Sequence, residues 1–231
     1  MASIAIAGTF NSRSVGWSAT PSLIRAANLD AITDLGVAAL TELGVELVVD
    51  LRDDQERGSI RHTIPVRHVP IYRSPDGPPL TGTLESVYES MVYTRGRELT
   101  TAVAAIADSS GPVLVHCASG KDRTGLVIAL ALLAAGISDE EVIADYTLSA
   151  ANVRPNRRES VEVVLRALRL TNEVHAAALR LHLDSPAVAL RQTLDDLEEF
   201  GGVTPYLRGH GLTVDQFETL RERIGGAIHE C

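Results

Sequence analysis

The chain has 231 residues, 45% of them hydrophobic, and a formal net charge of −9. That length and apolar content exclude a disordered chain and suit one large domain, or one with an added subdomain. The acidic balance excludes general nucleic-acid binding, because such a body repels phosphate backbones, although a local cationic pocket survives a weak, screened field.

In chain order, the opening "MASIAIAG" is apolar but short and lacks a basic flank, so it is not read as a signal peptide. Ala2–Ala7 and Leu23–Ala26 are weak strand candidates. Residues 30–44, "DAITDLGVAALTELG", carry Ile32, Leu35, Ala39, Leu40 and Leu43 at helical spacing and stop at Gly44. "ELVVDLR" (46–52), "VRHVPIY" (66–72) and "PVLVHC" (112–117) have the β-branched content of buried strands. "SPDGPP" (74–79) is an irregular loop after a strand. A buried helix is predicted over Arg123–Ala135, closed by Gly136. Two further helices open on capping boxes, Ser138 with Glu141 and Thr213 with Gln216.

Strands alternating with helices in the first half predict an α/β fold with a mainly parallel sheet. From about residue 150 onward only helical periodicity remains, which suggests a partial cover over the α/β portion. The longest apolar run, Leu126–Ile137, is about half of what a bilayer requires, so no stable membrane insertion is expected. The two cysteines, Cys117 and Cys231, lie far apart in sequence. A structural disulfide is therefore not expected, and the chain reads as cytoplasmic, with leaderless export left open.

The chemistry concentrates where two apolar segments meet, in "HCASGKDRTG" (116–125). A strand ending at Cys117 passes through a tight loop into a helix near Arg123. Successive backbone N–H groups of Ala118, Ser119, Gly120, Lys121 and Asp122 can converge there, and the helix N-terminus adds partial positive charge. Such a cradle suits a dianion. Gly120 lets the backbone curl, Gly125 lets the helix start pack closely, and Arg123 can grip two oxygens at once. Lys121 is the only lysine in the chain.

A free thiol titrates at about 8.5, and this setting should lower that of Cys117 below neutrality. His116 can fix the loop, and Thr124 can stabilise the thiolate and ease its departure. The implied chemistry is in-line displacement, with phosphate passing to sulfur and then to water, and with neither metal nor organic cofactor. Three plainer readings compete: a core cysteine, a nucleotide-binding loop and a ligand-free charge cluster. The nucleotide-binding pattern fails because Val115 and Asp122 stand where it needs glycine and Ser or Thr. The other two explain the convergence of Cys117, Gly120, Arg123, Thr124 and Gly125 poorly.

This loop resembles the signature of cysteine-dependent phosphatases, His-Cys, five residues, then Arg-Thr. With its Lys-Asp pair it is similar to the bacterial family of the mycobacterial protein tyrosine phosphatase B. "GTFNSR" (8–13), "DLRDDQE" (50–56), "IADYTLS" (143–149) and "YLRGHGLTVDQFETLR" (206–221) resemble family segments in the same order. Ser12 and Ser14 depart from the family pattern, which has an aromatic and an aspartate there.

The resemblance implies a cysteine-phosphatase fold in one domain: residues 1–150 as the α/β catalytic part, about 151–200 as a helical lid, and 201–231 as a C-terminal helix packing back. It also implies a loosely specific phosphatase acting on phosphotyrosine, with phosphoserine, phosphothreonine and phosphoinositides as further substrates. Lys121 sits where lipid-acting relatives carry an extra cation for inositol phosphates. The rival readings are a phosphate-binding pseudophosphatase and a related-fold enzyme of persulfide or arsenate chemistry, the latter disfavoured by the Arg-Thr-Gly ending.

Expelling a tyrosine oxygen, whose pKa is about 10, calls for a general acid. Asp122 is preferred to Asp76, whose "PDG" setting reads as a turn. Asp50 and Arg52 read as a buried salt bridge supporting the loop before they read as pocket residues. His175 and His182 read as surface or packing residues, and Arg154, Arg157 and Arg158 as a solvated helix start.

Overall fold

The computed structural model describes residues 3–16, 21–75 and 77–225. Its five strands, β1 (Arg13–Val15), β2 (Leu23–Ala26), β3 (Leu47–Asp50), β4 (Val66–His68) and β5 (Val113–His116), form one sheet in the order β1-β2-β5-β3-β4. Only β1 runs antiparallel to its neighbour. The mainly parallel α/β sheet expected from the sequence is thus present.

Parallel strands are stable when both faces are covered, and alternate side chains supply the two covers. Leu23, Val49, Val113 and Val115 enter the larger core. Ile24, Ala26, Val48 and Leu114 enter a smaller one, closed by Leu40 of α1 (Asp34–Glu42). The larger core is covered by α2 (Leu84–Thr94), α3 (Gly96–Asp108), α4 (Asp122–Ala134) and helices nearer the C-terminus. α4 is buried almost all round, as its unbroken apolar run requires.

α5 (Asp139–Ala167) and α6 (Asn172–Leu183) form a hairpin with its own small core of Val161, Leu165, Ala178 and Leu183. α7 (Ala187–Glu198), α8 (Val203–Gly209) and α9 (Val214–Ile224) return to the main core. The boundary expected near residue 150 falls inside α5, a single 29-residue helix.

Several expected edges move for physical reasons. α1 starts at Asp34 because Thr33 caps it, its side chain accepting from Gly36 N at 3.3 Å. Asp30 instead pairs with Arg52 at 2.7 Å. β4 ends at His68, two residues before Pro70, which has no N–H for a ladder. Of the strand proposed at Ala2–Ala7, Ala2 lies outside the described residues and the remainder makes only an isolated bridge, Ser3 to Arg13. Both capping boxes occur where expected, at Ser138 and Thr213. No helix of the described residues is long and apolar enough to cross a membrane.

Candidate active site

The parallel strands β2, β3, β4 and β5 end on one edge of the sheet, and β5 lies between β2 and β3. Residues leaving those strands therefore gather around the chain that leaves β5, the place where open α/β sheets bind ligands. Cys117 follows β5 directly, is 2% exposed and is a free thiol. The loop turns at Gly120, whose φ is +64°, and a Cβ there would lie 2.3 Å from Ala26 O. Only glycine fits that position. α4 begins at Asp122, so Arg123 and Thr124 occupy its first turn. Gly125 lets Tyr146 approach, where an added Cβ would meet the ring at 3.2 Å.

Arg123 is held from several sides. Both of its terminal nitrogens donate to Glu56, Nη2 to Oε1 at 2.8 Å and Nη1 to Oε2, and Nη1 also reaches Leu51 O at 3.4 Å. Its guanidinium lies over the Tyr72 ring, 4.5 Å from the centroid. Burial works against the charge, but the bond to the Glu56 carboxylate outweighs it, and the pKa is raised. Arg123 is thus a fixed cation beside the thiol.

Asp122 Oδ1 accepts from Tyr88 Oη at 2.8 Å and from Lys121 Nζ at 2.5 Å, and its side chain is 20% exposed. Tyr88 also meets Tyr146 at 2.8 Å. Burial raises the Tyr72 and Tyr88 phenols above their ordinary range, so both stay neutral. Thr124 Oγ1 is buried and has no hydrogen-bond partner. Beside Tyr72 opens a cleft of about 540 Å³, with Ser74, Pro79, Leu80, Met91 and Arg95 in its walls.

One expected contributor is placed differently from the sequence reading. Lys121 is fully buried, and its ammonium donates to Asp122, to Leu181 O at 2.9 Å and to Asp184 O at 2.8 Å. All three of its hydrogens are committed to Asp122 and the end of α6, so in this structure it does not face a phosphate site. His116 is buried, and burial foremost lowers its pKa to about 4. It is neutral at pH 7 and supports the loop through a 3.3 Å contact of Nδ1 with Cys117 O.

Asp50 and Arg52 form the buried salt bridge favoured from the sequence, at 2.9 Å. Burial opposes the Asp50 charge, but the bond from Arg52 and the neighbouring His116 outweigh it and lower the pKa. Arg154 pairs with Asp184 at 2.7 Å, His175 lies 3.8 Å from Glu162, and His182 meets Leu80 O at 3.0 Å. Asp76 lies outside the described residues. Among the described residues no group of three His, Cys, Asp or Glu is placed to hold a metal ion.

The sequence reading missed Glu56, Tyr72 and Tyr88. Glu56 carried a signal, since it is the third residue after Asp53 in the box that closes a short 3-10 turn (Asp54–Glu56). Its carboxylate Oε2 accepts from Asp53 N at 3.0 Å while both oxygens hold Arg123.

Residues 4–225 match the tyrosine phosphatase family. The chain is 28% identical to the triple specificity protein phosphatase PtpB of Mycobacterium tuberculosis, over 93% of this chain and 96% of that protein. It is 25% identical to a tyrosine-protein phosphatase of Nostoc commune, over 88% and 74%. Among solved structures, the core catalytic domain of the PP-IP phosphatase SIW14 from S. cerevisiae aligns at a TM-score of 0.44 and 16% identity, over 63% of this chain and 79% of that one. TpbA of P. aeruginosa aligns at 0.40 and 20%, over 67% and 90%.

Proposed function

This chain belongs to the tyrosine phosphatase family and is a cysteine-dependent phosphatase; on that premise we propose that Cys117 is its nucleophile, Arg123 its phosphate-gripping cation and Asp122 its general acid. One observation carries the reading: the thiol of Cys117, the first turn of α4 and the fixed guanidinium of Arg123 meet at the C-terminal end of β5.

The Cys117 thiolate attacks the phosphorus of a bound monoester from the side opposite the departing oxygen. The S–P bond forms as the P–O bond breaks, and Asp122 gives its proton to the leaving oxygen. Water then attacks the phosphorus and passes a proton back to Asp122, the S–P bond breaks, and inorganic phosphate leaves with the thiolate restored. The N–H groups of Ala118 to Thr124 and the Arg123 guanidinium face the charge that develops on the phosphoryl oxygens. The unpartnered Thr124 hydroxyl supplies a donor for the sulfur as it departs.

The substrates we propose are phosphoproteins, phosphotyrosine first. The cleft beside Tyr72 supports this, because it offers apolar wall and hydroxyls next to the Arg123 face. The triple specificity in the mycobacterial relative's name supports phosphoserine and phosphothreonine as further substrates. A phosphoinositide ranks behind them, since it would have to draw Lys121 away from Asp122, Leu181 and Asp184. The α5–α6 hairpin, with its separate core and polar ties to the body, is the proposed lid.

Cys117→Ser is expected to lose turnover of p-nitrophenyl phosphate by at least roughly 10³-fold while still binding phosphate. Turnover kept in that variant would remove Cys117 from the mechanism. No turnover in the wild type would leave the phosphate-binding module. Asp122→Asn is expected to slow hydrolysis of phenyl phosphate, a poor leaving group, by about 10²-fold and to flatten the basic limb of its pH–rate profile. With p-nitrophenyl phosphate it should change little. The same pattern in Asp76→Asn, with Asp122→Asn unaffected, would transfer the acid role.

A further inference from the structure

A loop that turns its N–H groups onto an anion must turn its carbonyls away, and a carbonyl buried in protein needs a donor. Three successive carbonyls of the phosphate loop have one. Asn28 Nδ2 donates to Ala118 O at 3.0 Å, and the Asn28 backbone N–H reaches the same oxygen at 3.3 Å. Asn11 Nδ2 donates to Ser119 O at 3.1 Å and to Gly120 O at 2.9 Å. Arg25 Nη2 donates to Gly120 O at 2.7 Å. These donors, Asn11, Arg25 and Asn28, lie on or next to β1 and β2, which bring their side chains behind the loop.

The donors are themselves fixed. Asn11 Oδ1 accepts from Arg13 Nη1 at 2.6 Å, so the amide nitrogen must face the loop. Arg13 and Arg25 share the carboxylate of Asp145 on α5, Nε to Oδ1 at 2.7 Å and Nη1 to Oδ2 at 2.5 Å. Asn11 is 4% exposed and sits at φ +55°, a left-handed conformation that asparagine tolerates better than most residues. Arg25 is fully buried. Two guanidiniums against one carboxylate leave a net positive charge behind the loop.

We propose that Asn11, Arg25 and Asn28 are positioning residues of the phosphate site, a donor set that holds the loop carbonyls outward and thereby sets both oxyanion affinity and the acidity of Cys117. The proposal rests on the reading of Cys117 as the phosphatase nucleophile. Without the donors, a peptide unit such as Gly120–Lys121 is free to rotate. An inward oxygen would then replace an attractive N–H with a repulsive dipole.

The test uses the full chain and two isosteric exchanges, Asn11→Asp and Asn28→Asp, with Asn11→Gly removing the amide without straining φ. Three quantities are read: the inhibition constant of inorganic phosphate, the pH midpoint of Cys117 alkylation by iodoacetamide, and the thermal midpoint. Mass spectrometry of the Cys117 peptide separates it from Cys231. Each variant should weaken phosphate by about tenfold or more and raise the alkylation midpoint by about half a unit or more. A fall in thermal midpoint alone, with phosphate affinity and alkylation unchanged in a folded Asn28→Asp or Asn11→Gly, would overturn the proposal. Should the wild type turn nothing over while phosphate still shields Cys117 in a donor-dependent way, the enzymatic reading fails and the donor set stands. Should the wild type turn over and the variants match it, the donor set fails and the enzymatic reading stands.

Discussion

Arg123→Lys is expected to lower kcat and kcat/KM for p-nitrophenyl phosphate together by roughly 10²–10³-fold, with far-UV circular dichroism unchanged. The charge survives this exchange, so the loss reports geometry. A guanidinium is a planar fork, and here one edge is spent on Glu56 while the Nε–H and the second Nη2 hydrogen remain for a phosphoryl group. Its plane is set by the Tyr72 ring 4.5 Å below. A lysine at 123 presents a point charge on a mobile stem, which Glu56 can capture outright. Glu56→Gln then makes a useful companion. It keeps the fork but loosens its hold, so its loss should be about tenfold, well short of the lysine variant. If Arg123→Lys raised KM alone and left kcat intact, Arg123 would bind the ground state and contribute nothing particular to the transition state.

The contrast between Arg123 and Glu56 shows where the sequence was legible. Arg123 could be found because its meaning is local: a buried strand, a cysteine, a glycine turn and a helix start stand within ten residues, and the backbone rules of strand ends and helix starts order them. The capping boxes at Ser138 and Thr213 are local in the same way, and both occur as read. Glu56 acts on a partner 67 residues away, and Asn11 on carbonyls 108 and 109 residues away. No periodicity encodes such pairings. β1 escaped notice for the same reason, since Arg13 reads as a polar interruption until Asp145 is placed beside it.

Lys121 is the instructive reversal. Its position in the loop was legible, but its direction was not, because the acceptors at Leu181 and Asp184 come from a helix end that only the tertiary fold brings near. In a chain otherwise using arginine, a compact ammonium suits three acceptors converging on one point. Asp30 shows the converse. It heads an apolar-periodic run and so reads as a helix start, yet the ion pair with Arg52 draws it out of α1.

The largest stability effect is expected at Asp145. Asp145→Asn should cost about 3–5 kcal/mol, because it leaves the Arg13 and Arg25 guanidiniums buried without their shared counter-charge. For a chain of this size that is a fall of roughly 6–20 °C in thermal midpoint. The pH dependence gives the cause away. Burial opposes ionisation of Asp145, but Arg25 and Arg13 outweigh it and hold its pKa below the ordinary 3.8. A depressed carboxylate contributes stability that is complete above the unfolded value and is lost as pH falls through it toward the folded one.

His116 acts earlier in the same direction. Its folded pKa of about 4 lies below the ordinary 6.5, so the unfolded chain takes up a proton that the folded chain refuses, and stability falls between those two values. The wild type should therefore weaken in two stages on acidification, the first shared with Asp145→Asn and the second absent from it. Denaturant melts at pH 7, 5 and 3 would show the gap between the two proteins steady from 7 to 5 and narrowing by 3. A gap that stayed constant to pH 3, or that never exceeded about 1 kcal/mol, would mean the carboxylate's charge is not what holds the two arginines in place.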